Sequence, residues 1–149
     1  MRSKLLNDHA GQRTFAVILQ TDDEVMESLR AFVGAENVSS ARVTALGAFR
    51  AADLAYFDWE SKSYQPILLQ EQVEVASLIG DVALDSRNRP SLHLHAVLGK
   101  ANGQAMAGHL TRGIVRPTLE VIVTESPAYL CRVKDEETGL ALIDLAGSA

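Results

Sequence analysis

The stretch that decides the fold is Ser91-Leu92-His93-Leu94-His95-Ala96-Val97-Leu98, and Gly108-His109-Leu110 follows it at a short distance along the chain. The first stretch alternates with the two-residue period of a β-strand. Its leucines and its alanine therefore lie on one face, while His93 and His95 share the other. Two imidazoles in this arrangement lie side by side, close enough to bind one metal ion if a third ligand approaches. His109 is the obvious third ligand.

The spacing of the three histidines fits an open metal site. Zinc takes imidazole, thiolate and carboxylate ligands in a tetrahedron, and three protein ligands leave the fourth position for water or a substrate. His93, His95 and His109 would hold zinc or another divalent transition metal in this way. The alternative is a set of polar residues near a turn, each hydrogen-bonded to backbone or water. The one further histidine, His9, lies near the N-terminus.

Three charged residues are candidates for chemistry beside such a metal. Glu120 lies on a strand pattern that follows closely, and Glu74 lies on an earlier one; either is a candidate ligand, acceptor for an imidazole N–H, or general base. Arg112, three residues after His109, is a candidate for orienting an anionic ligand. For all three, an ordinary surface charge is the alternative.

Composition favours an ordinary globular protein. The chain has 149 residues, of which 47% are apolar and 22% charged, so we expect one domain over residues 1–149 with a core of its own. No apolar segment is long enough to cross a bilayer, and no apolar run follows the basic residues at the start, which predicts a cytoplasmic protein. The single cysteine, Cys131, is predicted to be buried in a strand and to form no internal disulfide.

The net charge of −5 argues against non-specific nucleic-acid binding. Such binding draws its affinity mainly from Lys and Arg that displace counterions from phosphates.

Strand patterns dominate the chain, and one helix is predicted near its start. A strand at 13–20 precedes a capping box at Thr21-Asp22-Asp23-Glu24, and apolar residues then recur at helical spacing until Gly34, which is a plausible stop. Strands at regular spacing without intervening helices favour an antiparallel sheet and hence the α+β class. Further strands are predicted at 41–46, 52–57, 71–79, 91–98, 118–123, 129–133 and 140–145.

Several of these motifs resemble one known family, the PPC (plants and prokaryotes conserved) domain. The resemblance lies in Ser91-Leu92-His93-Leu94-His95, in Gly108-His109-Leu110-x-x-Gly113 and in the strand at 118–123. Ala45-Leu46-Gly47 and the stretch at 73–80 support it, and together the motifs span roughly residues 13–133.

The resemblance implies a mainly antiparallel sheet with a few helices packed around it, as in acetolactate decarboxylase, and assembly as a homotrimer. It also implies a metal, usually zinc, on His93, His95 and His109. Plant members carry AT-hook segments and bind A·T-rich DNA. This chain has no Arg-Gly-Arg-Pro element, since Arg87-Asn88-Arg89-Pro90 has the wrong central residue and lies in a turn, so direct DNA contact lacks the known mechanism.

Three functions follow from this combination. The first is a zinc-binding homotrimeric module of a regulatory assembly, associated with DNA through a partner. The second is a small zinc-dependent enzyme, a decarboxylase or ester hydrolase, with a small-molecule ligand at the metal. In that interpretation Glu120 or Glu74 handles protons and Arg112 neutralises a carboxylate. The third, an autonomous DNA-binding regulator, has the least physical support.

Overall fold

The computed structural model of the chain describes residues 1–148. Over that range, regular structure consists of nine strands and one helix. In chain order these are β1 (Arg2–His9), β2 (Gln12–Gln20), α1 (Val25–Ala35), β3 (Ala41–Asp58), β4 (Ser63–Leu69), β5 (Val73–Leu84), β6 (Pro90–Gly99), β7 (Ala105–Glu125), β8 (Cys131–Lys134) and β9 (Ala141–Asp144).

The strands form one sheet in the order β1, β2, β7, β3, β5, β8, β9, with β4 added to β3 and β6 paired with both β5 and β7. Pairs are antiparallel except for a single parallel contact between β5 and β8. Because β3 pairs with β5, β5 with β6, β6 with β7 and β7 again with β3, these four strands form a closed cycle. The cycle gives the sheet an inner apolar face and an outer face.

The core lies inside this cycle and under the helix. On β6, Leu94, Ala96 and Leu98 are buried, whereas His95 and Val97 are exposed, as the two-residue period predicts. The apolar stripe of α1 joins the same cluster, and Phe32 meets Phe15 of β2 edge to face at 5.3 Å between ring centroids. The packed interior thus fixes which side of β6 faces outwards.

The α+β class is confirmed in its coarse form, a chain that is mostly strand with helix packed on a sheet. The few helices that the family resemblance implies reduce to one, α1, within residues 1–148. No helix in this range is long and apolar enough to span a membrane.

The predicted start and stop of the helix are wrong. Glu24, not Thr21, is the N-cap: its carboxylate accepts from the backbone N–H groups of Met26 and Glu27. Thr21 instead donates its hydroxyl to the carbonyl of Pro117. Gly34 lies inside the last turn, and the helix ends at Ala35.

One pair of predicted strand segments proves to be a single long strand, and one predicted segment is part of a much longer strand. The segments 41–46 and 52–57 both belong to β3, which continues through a bulge next to Gly47. A Cβ at Gly47 would lie 2.2 Å from the carbonyl oxygen of Thr118, so only glycine lets β3 and β7 approach there. The predicted strand at 118–123 is the second part of β7, which begins at Ala105 and includes His109.

Candidate metal centre

Strand pairing brings the three histidines to one point on the outer face. His93 and His95 lie two residues apart on β6, and His95 is the direct cross-strand partner of His109 on β7. The turn between the strands sets this register: the N–H of Lys100 donates to the carbonyl of Gln104, and that of Gly103 to the carbonyl of Lys100. The sequence prediction that His109 would meet the other two histidines agrees with this geometry.

The imidazoles form a compact group. One ring nitrogen from each histidine lies within 4.8 Å of the others, and Nε2 of His93 is 3.2 Å from Nε2 of His95. Two nitrogens on a tetrahedral zinc ion, each bonded at 2.0–2.1 Å, are about 3.3 Å apart. The pair is therefore already spaced as two ligands of one ion, although one neutral ring can also donate to the other at this distance.

Burial keeps the rings in the form that binds metals. His93 and His109 are half-buried, while His95 is exposed. The pKa of His109 is lowered to about 4, mainly by burial and to a lesser extent by the charges of His93 and His95. Burial, followed by the charges of Arg132 and His95, also lowers the pKa of His93. At neutral pH both rings are uncharged and carry a free lone pair, as metal ligation requires.

One buried atom supports the fit of a metal directly. Nδ1 of His109 is buried and has no hydrogen-bond partner within residues 1–148. Buried polar atoms without partners are rare in folded proteins. A metal ion, or a ligand held beside it, would give this nitrogen the partner that it lacks, so the donor set and its surroundings fit the implied zinc.

An ion pair and a tyrosine surround the histidines. Asp81 on β5 is the cross-strand partner of His93, and its carboxylate accepts from Nη2 of Arg132 on β8. The Arg132 side chain is 5% exposed, and Nη1 donates to the carbonyl of Ser91 at 3.3 Å. The Tyr64 ring on β4 lies 5.2 Å from that of His109. These contacts hold β4, β5 and β8 around the centre.

Two grooves are each lined by two of the three histidines. The first, the Asp81 groove, has a volume of about 390 Å³ and is lined by Arg42, Val43, Ile79, Gly80, Asp81, His93 and His95. The second, the Arg132 groove, has a volume of about 270 Å³ and is lined by Tyr64, Ser91, Leu92, His93, His109, Arg132 and residues 139–142. Within the described residues, no cysteine or carboxylate joins the histidine group as a further ligand. A metal held here would keep a coordination position open to a groove.

The structure puts the other predicted site residues elsewhere. Glu120 is exposed on β7 and lines a separate apolar groove with Leu46 and Ile122. Arg112 has Nη1 3.8 Å from Oδ2 of Asp53. Glu74 is exposed and pairs with Gly99 at the far end of β6. The chemical roles suggested for these three residues stay predictions.

Arg132, Asp81 and Tyr64 line the centre without having been singled out by the sequence. Arg132 did leave a signal, because a charged residue inside the apolar run 129–133 has to find a partner when the strand is buried. The position of Asp81 follows only from the β5–β6 register. Cys131, predicted to be buried, is half-buried.

Comparisons with known proteins agree with this picture. The model of the Plants and Prokaryotes Conserved (PCC) domain, also abbreviated PPC, matches residues 7–127. A metal-containing protein from Archaeoglobus fulgidus is 32% identical with a TM-score of 0.81, over 88% of this chain and 92% of that one. A PPC protein from Pyrococcus horikoshii is 27% identical with a TM-score of 0.82, over 96% and 94% of the two chains.

Two further proteins are similar to this chain. A candidate DNA-binding protein from Ralstonia eutropha is 26% identical with a TM-score of 0.80, over 88% of this chain and 90% of that one. The bifunctional protein GlmU of a Synechococcus strain is 35% identical over 74 residues, 48% of this chain. The match covers 11% of that protein, so this chain corresponds to about a tenth of its length.

Proposed function

The chain belongs to the Plants and Prokaryotes Conserved (PCC) domain family, and we propose that it is a metal-binding, homotrimeric member of a regulatory assembly. His93, His95 and His109 would hold a zinc ion or another divalent transition metal. The observation that carries the proposal is the grouping of three ring nitrogens within 4.8 Å on two paired strands. A relative at 32% identity is described as metal-containing, which supports the same interpretation.

Each histidine has a definite task in this proposal. The backbone pairing of His95 with His109 holds two rings side by side, and the pairing of β5 with β6 puts His93 opposite Asp81. Bound zinc with three neutral imidazoles would polarise a carbonyl or lower the pKa of a bound water. The chain itself supplies the fixed ring positions and the two grooves that give access to them.

An exposed apolar surface supports the homotrimer. Leu46 is 61% exposed, Ile79 57% and Ile122 39%, and all three line a groove of about 510 Å³ on the outer face of the sheet. Large contiguous apolar patches on a protein surface commonly mark interfaces. Copies of the chain that pack through this face would remove these side chains from water.

The DNA role is proposed as an association through a partner. Relatives include a candidate DNA-binding protein, but this chain has 14 basic against 19 acidic residues. At least six of the basic side chains lie against carboxylates, which lowers the positive charge available to phosphates. They are Arg13, Arg50, Arg89, Lys100, Arg112 and Arg132.

A small zinc-dependent enzyme is the second candidate function. The observation that favours it is the pair of grooves that reach His93 without a fourth protein ligand within residues 1–148. An open position beside a cavity is typical of catalytic zinc, whereas structural zinc is closed by four protein ligands.

Elemental analysis tests the metal centre. We expect the purified protein to carry close to one transition-metal ion per chain and a His93→Ala, His95→Ala variant to carry almost none. His9→Ala is the matched control, because His9 is exposed on β1 and lies outside the group. Equal metal content in the double variant and the native protein would refute the site.

A further inference from the structure

The Arg132 groove contains a buried charge that the metal proposal leaves unexplained. Only 5% of the Arg132 side chain is exposed, and its pairing with Asp81 meets the condition under which arginine is buried. A guanidinium has five N–H donors. Arg132 directs one to the carbonyl of Ser91 and one to the carboxylate of Asp81. Three N–H groups therefore have no acceptor within residues 1–148, and Arg132 lines the groove.

The charges around the groove favour an anion. Three neutral imidazoles leave a bound divalent metal with its full charge of +2, and the charges of Arg132 and Asp81 cancel each other. The centre as a whole is then positive, in partly buried surroundings that strengthen electrostatic attraction. A guanidinium also matches a carboxylate geometrically, because its N–H groups lie in one plane and bind both oxygens.

The size and the walls of the groove narrow the choice of anion. Its volume of about 270 Å³ is just below the usual range for drug-sized ligands, so a molecule of a few heavy atoms fits. Leu92, Leu140 and Leu142 supply apolar walls. A carboxylate on a short aliphatic chain suits these walls, since inorganic phosphate would leave them in contact with a fully polar group.

We propose that the Arg132 groove binds a small organic carboxylate, held by Arg132 and by the metal at His93 and His109, with its aliphatic part against Leu92 and Leu142. This inference rests on the proposed metal centre for one of its two anchors. The carboxylate would occupy the open coordination position, and Arg132 would select its negative charge.

Butyrate and its neutral isostere butyramide test the proposal by calorimetry, with the cobalt-substituted protein as a spectroscopic reporter. We expect butyrate to bind and to change the visible absorption of cobalt, and butyramide to bind at least tenfold more weakly. An Arg132→Met, Asp81→Asn variant removes both charges together, so no buried carboxylate is left alone. It should bind butyrate at least tenfold more weakly with unchanged metal content.

Two further variants keep the test decisive. Arg50→Met, Asp22→Asn removes an exposed ion pair of the same type and should bind butyrate as the native protein does. Leu142→Trp fills the groove without changing any charge and should abolish butyrate binding. This variant tests the site independently of whether the Arg132→Met, Asp81→Asn variant folds.

The outcomes separate this inference from the metal proposal. Equal affinity for butyrate and butyramide, or full butyrate affinity in the Arg132 or Leu142 variants, would overturn the carboxylate site. Metal-loaded protein that binds no butyrate overturns it too and leaves the metal centre standing. Protein that takes up no metal but binds butyrate through Arg132 has the opposite meaning: the Arg132 anchor stands and the metal centre does not.

Discussion

At the scale of single residues, Gly80 controls how closely β5 approaches the histidine strand. It faces Leu94 across the pair, and a Cβ there would lie 2.0 Å from the carbonyl oxygen of His93. The backbone at His93 cannot move aside as the end of a flexible side chain can. Any residue larger than glycine at position 80 must therefore push β6 away. Gly80 thus protects both the pairing and the position of His93.

We therefore expect Gly80→Ala to lower the free energy of unfolding by about 3 kcal/mol, the upper end of the usual cost of overpacking a core, and to reduce metal content. Gly34→Ala is the matched control. A Cβ at Gly34 meets nothing within 4 Å. Alanine at this position inside α1 should therefore raise the free energy of unfolding by about 0.5–1 kcal/mol. Urea denaturation of both variants measures the difference; a Gly80→Ala protein as stable as the native one would show that the strands separate easily.

Arg132 links the tail to the histidine strand through its bonds to Asp81 and Ser91. Its removal leaves Asp81, whose side chain is 33% exposed, without its charged partner. Arg132→Met should cost about 2–3 kcal/mol of unfolding free energy, and adding Asp81→Asn should restore part of it. Arg50→Met, in an exposed pair, should cost under about 1 kcal/mol. Equal losses for the two single variants in denaturant titrations would contradict the buried role of Arg132.

Sequence reasoning at this scale succeeded where chemistry and periodicity coincide. His93 and His95 could be assigned to one face because the alternation of their strand is unbroken, and His109 could be added because few histidines exist in the chain. Arg132 and Asp81 could not be assigned, because their meeting depends on a single parallel contact between β5 and β8. Long-range register of that kind leaves no periodic signature in the sequence.

At the scale of elements, Glu24 joins the helix to the sheet. Oε1 accepts from the N–H of Met26 and from that of Gly113 on β7, each at 3.1 Å, and Oε2 accepts from the N–H of Glu27 at 2.8 Å. One carboxylate thus satisfies two amides of the first helical turn and one amide of a strand. The start of α1 is thereby tied to β7, the strand that carries His109.

Glu24→Ala should reduce the free energy of unfolding by about 1–2 kcal/mol, the usual effect of losing an N-cap. Glu24→Gln keeps one oxygen acceptor and should reduce the free energy of unfolding by less. Thr21→Ala is the control that separates the two possible caps, because Thr21 donates only to Pro117 and should change stability little. Thermal unfolding of the three proteins decides the matter, and a larger loss in Thr21→Ala than in Glu24→Ala would restore the predicted capping box.

Element boundaries were less predictable than element types for a physical reason. A strand can pass through a bulge without ending. Glycine is common in turns, but at Gly47 it lets β3 bend while the strand stays paired with β5 and β7. The strand β1 gave no pattern because its whole length is exposed. Alternation marks a strand only where one face is buried.

At the scale of the whole molecule, the closed cycle of strands puts the apolar groove and the histidines on one outer face. Cross-strand partners run without a break from Ile122 through Thr44, Ile79 and His95 to His109. Partners directly opposite each other project to the same side of a sheet. Assembly through this face would therefore bring the edge of an interface close to the candidate metal centre.

The proposed homotrimer makes a measurable prediction on this face. Leu46 is the direct partner of Glu120, so Leu46→Glu would bury two adjacent carboxylates at the interface and should dissociate the trimer. Light scattering should give three times the 16.1 kDa chain mass for the native protein and a lower mass for the variant. Leu68→Glu is the control, since Leu68 is 64% exposed on β4, outside the groove. A native monomer, or a Leu46→Glu protein that stays trimeric, would mean that copies do not assemble through this face, and the exposure of Leu46 would then need another explanation.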